Sequence, residues 1–107
     1  MNIKVLIPIL KSAKGASKYF EEILPNVDFD DIEVYMQNSI SVNSEVCFFD
    51  CEEIPQKNII TLNNQTFVNL FPLYLLQEMI EEYYKEYTNI SIDEIIDKII
   101  EYRLNDA

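Results

Sequence analysis

Between positions 32 and 48, Ile32, Val34, Met36, Ile40, Val42, Val46 and Phe48 all fall on even numbers. The polar residues Glu33, Gln37, Ser39, Ser41, Asn43 and Glu45 fall on odd ones. Alternation of period two puts the two sets on opposite sides of a pleated strand, so the segment predicts antiparallel strands with one buried face. A two-residue hairpin loop joins positions of opposite parity. Keeping the even set together therefore requires an odd-length connection, expected around Asn43-Ser44-Glu45 between strands at 32–42 and 46–49, with a shorter turn at Asn38 as the alternative. Tyr35, Cys47 and Phe49 fall on the otherwise polar side, which marks that side for cover by a helix or a partner.

A second hairpin is expected where 58–62 and 65–69 flank Asn63-Asn64. Asparagine tolerates positive φ, as a type I′ turn requires, and Ile60, Leu62 and Phe67 would share a face. Residues 72–87 have helical spacing, with Leu76, Met79, Ile80, Tyr83 and Tyr87 inward and Glu78, Glu81, Glu82, Lys85 and Glu86 largely outward. A last helix is expected over 92–104, with Ile95, Ile96, Ile99 and Ile100 as its apolar stripe. Ser91 and Glu94 supply a capping box at its start, and Ile90 is placed to staple against Ile95. The short connector at 88–89 predicts that these two helices are antiparallel neighbours.

The N-terminal segment supports two readings. Residues 3–9 are apolar and rich in β-branched side chains, which predicts a strand. The rival is a helix, because Leu6, Ile9, Leu10, Ala13, Ala16 and Phe20 recur near helical spacing, with Pro8 then required in its first turn. A helix over 15–24, carrying Phe20, Ile23 and Leu24 inward, ends at Pro25-Asn26. The elements together predict an α+β fold: an antiparallel sheet of four or five strands with about three helices packed on one face, in a single globular domain spanning 1–107.

The chain has 107 residues, 49% of them hydrophobic and 25% charged, an ordinary globular mix. Its charge is not ordinary. Nineteen acids face eight bases, for a net charge of −11. Residues 1–18 carry Lys4, Lys11, Lys14 and Lys18 and no acid, a net of +4, so residues 19–107 carry a net of −15. Nucleic-acid backbones require concentrated positive charge and are excluded as the main partner. No apolar run approaches the eighteen or so residues that cross a bilayer, and the apolar run at 5–10 is too short for a signal-peptide core, so a cytoplasmic protein without membrane contact is expected.

The residues also narrow the chemistry. Histidine is absent, which removes Ser-His and Cys-His nucleophile pairs. A single glycine, Gly15, cannot supply a Walker or dinucleotide loop. Cys47 and Cys51 stand about 13 Å apart on an extended strand, too far for a disulfide unless the segment bends. Asp28, Asp30, Asp31 and Glu33 resemble hard-cation ligands by type, but the glycine and distal glutamate of an EF-hand loop are missing. The expectation is a non-catalytic protein with neither metal nor cofactor.

Three acidic groups remain: Asp28, Asp30, Asp31 and Glu33 entering the long β segment; Asp50, Glu52 and Glu53 leaving it; and Glu78, Glu81, Glu82 and Glu86 on the penultimate helix. If 32–42 pairs with 46–49, the first two groups share one end of the hairpin. With Tyr35 as an aromatic anchor, they form the candidate partner-binding set: Asp28, Asp30, Asp31, Glu33, Tyr35, Asp50, Glu52 and Glu53. The expected function is that of an immunity protein or antitoxin, blocking a basic toxin such as a nuclease by charge complementarity. Two alternatives accompany it. One is a phage or mobile-element protein that mimics nucleic-acid charge to disable a host defence, separable by gene neighbourhood. The other is a homo-oligomeric adaptor, which predicts an apolar interface with little salt dependence.

Overall fold

A computed structural model describes residues 1–106. The elements run in the order α1 (Ile3–Ile9), α2 (Ala13–Ile23), a 3-10 turn (Phe29–Asp31), β1 (Ile32–Gln37), β2 (Val46–Asp50), β3 (Ile59–Leu62), β4 (Gln65–Pro72), α3 (Leu73–Glu86) and α4 (Ile92–Asp106). The four strands form one antiparallel sheet in the order β2-β1-β4-β3. This is the expected α+β class, with four helices where about three were predicted.

The additional helix is α1, where a strand was expected. Ile3, Leu6, Ile7 and Leu10 are fully buried, and their spacing of three, one and three lies along one helical face. The Asn2 side chain caps the first turn, accepting from the Lys4 and Val5 amides at 3.1 and 3.4 Å. Pro8 lies beyond the first turn, on the exposed side. Its ring removes the bond that would otherwise reach the Lys4 carbonyl, a loss accepted because four large apolar side chains are buried opposite it. α2 starts at Ala13, with the Ser12 hydroxyl accepting from the Gly15 amide at 3.1 Å. It ends at Ile23, as Pro25 predicts. Phe20 enters the core, but Ile23 is 44% exposed, contrary to the expected inward orientation.

The parity reading of the first hairpin holds in its register. Ile32 pairs with Asp50, Val34 with Phe48 and Met36 with Val46, so the even set shares the core side. β1 is shorter than expected, because Asn38 adopts φ 69° and turns the chain. A bond from the Gln37 amide to the Glu45 carbonyl closes the loop, and the Ser44 hydroxyl donates to the Ser39 carbonyl. Ile40 and Val42 pack against the core from this loop and not from a strand.

The second hairpin matches its sequence signal. Asn63 and Asn64 take φ values of 52° and 66°, Leu62 pairs with Gln65, and Ile60 pairs with Phe67. β4 runs on to Pro72, and its register against β1 shifts between Val34 and Tyr35. At this irregularity the Arg103 side chain of α4 donates to the Asn69 carbonyl at 3.0 Å. The α4 capping box also forms: Ser91 Oγ accepts from the Glu94 amide at 3.1 Å while Glu94 Oε1 accepts from the Ser91 amide at 3.4 Å.

The main core combines the inner face of the sheet with side chains from all four helices, among them Leu6, Phe20, Leu76, Ile80, Ile95 and Ile99. In α3, Leu76 and Ile80 are buried and Met79 and Tyr83 half-buried as expected, whereas Tyr87 is 41% exposed. The helices cover one face of the sheet. The other face carries a separate small cluster of Tyr35, Ile60 and Phe67, edged by Cys47, Phe49, Ile54 and Leu62.

Candidate partner-binding site

The β1–β2 register determines where the acids go. Because Asp50 lies opposite Ile32, and the Cys51 amide donates to the Asp31 carbonyl at 2.8 Å, the chain entering β1 and the chain leaving β2 meet at one end of the sheet. Asp31 and Glu33 are thereby brought beside Asp50, Glu52 and Glu53. The tight turn after β2 fixes the last three: Asp50 Oδ1 accepts from the Glu52 amide at 3.0 Å, and the Asp50 carbonyl accepts from the Glu53 amide at 3.0 Å. Asp28 and Asp30 stand exposed at the 3-10 turn that leads into β1. The electrostatic effect of this convergence is visible at Cys51. Desolvation first, then the negative charges of Asp31, Asp50, Glu52 and Glu33, push its thiol above the ordinary range.

Among the described residues, the ion pairs join the Met1 ammonium to Glu45, Lys4 to Asp93 at 3.3 Å and Lys85 to Glu81 at 3.0 Å. None involves Asp28, Asp30, Asp31, Glu33, Asp50, Glu52 or Glu53. Among the described residues, the carboxylates at this end of the molecule therefore form no direct ion pair. The third acidic group differs. Glu81 Oε1 accepts from the Ala13 amide at 3.2 Å and from Gln77 Nε2 at 2.9 Å, so Glu81 belongs to the packing of α3 against α2. Glu78, Glu82 and Glu86 remain exposed.

Beside the acidic end, on the sheet face without helices, residues 51–58 fold back over β1 and β4. Tyr35, only 2% exposed, sits beneath them with its hydroxyl donating to the Lys57 carbonyl at 2.9 Å. Its ring meets Phe49 edge-on at 5.5 Å, and Phe49 meets Phe67 in the same way at 5.4 Å. Tyr35 thus anchors the segment rather than lying open. Between the segment and the sheet is a cavity of about 190 Å³ lined by Glu33, Tyr35, Ile54, Lys57, Asn58 and Asn69, among others. Asn69 Nδ2 donates to Glu33 Oε1 at 3.2 Å, but burial dominates and raises the Glu33 carboxyl above its ordinary range.

Sequence reasoning did not include Asn69, Lys57 or Ile54. Asn69 reaches Tyr35 and Glu33 through the β1–β4 pairing, a long-range register for which the chain carries no local signal. The polar 51–58 stretch reads as an ordinary connection, and only Ile54 within it hints at packing.

Among the described residues, no three Asp, Glu or Cys side chains are grouped closely enough to hold a metal ion, and no helix is long and apolar enough to cross a membrane. No family model, curated protein or solved structure matches the chain.

Proposed function

We propose that the protein is an immunity-protein or antitoxin-type inhibitor, which occupies the basic active-site groove of a toxin, most naturally a nuclease, through its acidic end. One observation carries this reading: two separate acidic segments are joined by strand pairing at one end of the sheet, and among the described residues none of their carboxylates forms an ion pair. Nuclease grooves hold Lys and Arg to grip phosphates, and a rigid acidic body presents the opposite potential. Association would be steered over long range, and the fixed Asp50 turn would present Glu52 and Glu53 in one geometry.

The test is capture of the partner from the source organism, followed by kinetics of the complex across a salt series. The expected partner is basic, toxic when expressed alone and silenced by co-expression with this chain. Association should slow steeply as salt rises. Reversal of Asp30, Asp31, Glu52 and Glu53 to lysine should reduce the association rate by about tenfold or more, whereas reversal of Glu78 and Glu82 should change it little. An acidic or neutral partner, or affinity indifferent to salt, would overturn the reading.

A further inference from the structure

The acidic end supplies attraction, but attraction over distance does not fix a register between two proteins. The cavity under residues 51–58 has the features that do. Glu33 stands at its sheet side, half-buried, with one oxygen taking a hydrogen bond from the neutral Asn69 amide. No cation pairs with this carboxylate among the described residues. A partly desolvated carboxylate with a single neutral protein donor keeps acceptor capacity facing the cavity, and an incoming cation that brings several donors uses it best. Tyr35 makes one wall rigid, because its ring is packed against Phe49 and its hydroxyl is held by the Lys57 carbonyl.

We infer that this cavity seats one arginine side chain of the basic partner, with its guanidinium meeting the Glu33 carboxylate beneath the 51–58 segment. The inference rests on the reading of the protein as an inhibitor of a basic partner and names the contact that would lock the complex. A volume of about 190 Å³ has room for one long side chain. Arginine fits better than lysine because its flat fork offers five donors and is less strongly hydrated than an ammonium. Part of the desolvation of Glu33 is already incurred in the free protein, which favours binding in the way that preorganisation does.

The experiment has two arms. In the first, N-acetyl-arginine methylamide is titrated into the full chain and followed by NMR, beside the lysine and the uncharged citrulline analogues. Saturable shifts confined to Glu33, Tyr35, Asn69 and the 56–58 backbone are expected with the arginine probe, weaker ones with lysine and none with citrulline. Glu33→Gln should lower the arginine affinity about tenfold. Lys57→Ala, which removes the one basic residue of the cavity lining and keeps the carbonyl that holds Tyr35, should not lower it. Equal response to citrulline, shifts spread over every acid, or weaker binding in Lys57→Ala would overturn the inference. In the second arm, Glu33→Gln should speed dissociation of the partner complex about tenfold with little change in association, the reverse of the Glu52 and Glu53 reversals. A salt-sensitive complex with a basic partner that ignores Glu33→Gln would overturn the arginine pocket and leave the inhibitor reading standing. Absence of any basic partner would remove the inhibitor reading, and the probe titration would still decide what the cavity accepts.

Discussion

Gln77 and Glu81, one helical turn apart on α3, hold the corner between the first two helices. Gln77 Nε2 donates to the Leu10 carbonyl at the end of α1, and Glu81 accepts from the Ala13 amide at the start of α2. Both backbone groups belong to helix ends that lack partners within their own helix. Gln77 is the single buried polar residue in the described chain, so Gln77→Leu should lower stability by about 1–3 kcal/mol in urea unfolding, by leaving the Leu10 carbonyl without its donor. The two carboxyls with displaced titration behave oppositely. Hydrogen bonds from Gln77 and Lys85 hold Glu81 below the ordinary value of 4.5. Its folded-state pKa is depressed, so its contribution is present above 4.5 and is lost as pH falls through the lower folded value. Glu33 is raised by burial. Its ionised form therefore opposes folding at neutral pH, and that penalty disappears as pH falls through its raised folded value towards 4.5. Stability profiles against pH should accordingly flatten at the acid end in Glu81→Gln, while Glu33→Gln should be more stable than the parent at pH 7 even as it weakens binding.

At the scale of elements, α1 is the instructive case. A helix that tolerates Pro8 past its first turn is held by burial and by the Asn2 cap, so Pro8→Ala should raise stability by roughly 1–3 kcal/mol, measured by thermal or urea unfolding. The misreading has a physical cause: a run of apolar β-branched residues satisfies strand propensity locally, and the choice of helix is made by the partners that Ile3, Leu6, Ile7 and Leu10 meet. The elements that were legible carry their own chemistry. The Asn63-Asn64 turn, the Ser91–Glu94 box and the even-numbered stripe from Ile32 to Phe48 each specify geometry within a few residues. The acidic convergence was legible because it follows from one hairpin and its parity. The cavity was not, because it depends on β1 choosing β4 as its other neighbour and on a segment without periodicity folding over the join.

Across the whole molecule, a net charge of −11 is distributed unevenly. Two lysines of the basic N-terminal stretch find partners at the surface: Lys4 pairs with Asp93, and Lys11 lies 4.7 Å from the Tyr84 ring centre. The carboxylates of the acidic end form no ion pair among the described residues, so mutual repulsion is expected to weaken the free protein. Moderate salt should therefore raise the melting temperature of the isolated chain by roughly a few degrees, through screening within about 10 Å. Glu52→Lys with Glu53→Lys should reproduce much of that gain at low salt. If salt left the melting temperature unchanged, the repulsion would be too small to matter. The sheet also divides the apolar interior in two, with the helical core on one side and the small Tyr35–Phe49–Phe67 ladder on the other. Because the two clusters share no buried side chain, truncating Phe67 strikes the outer layer first, and the fold rests on two separate apolar supports rather than one.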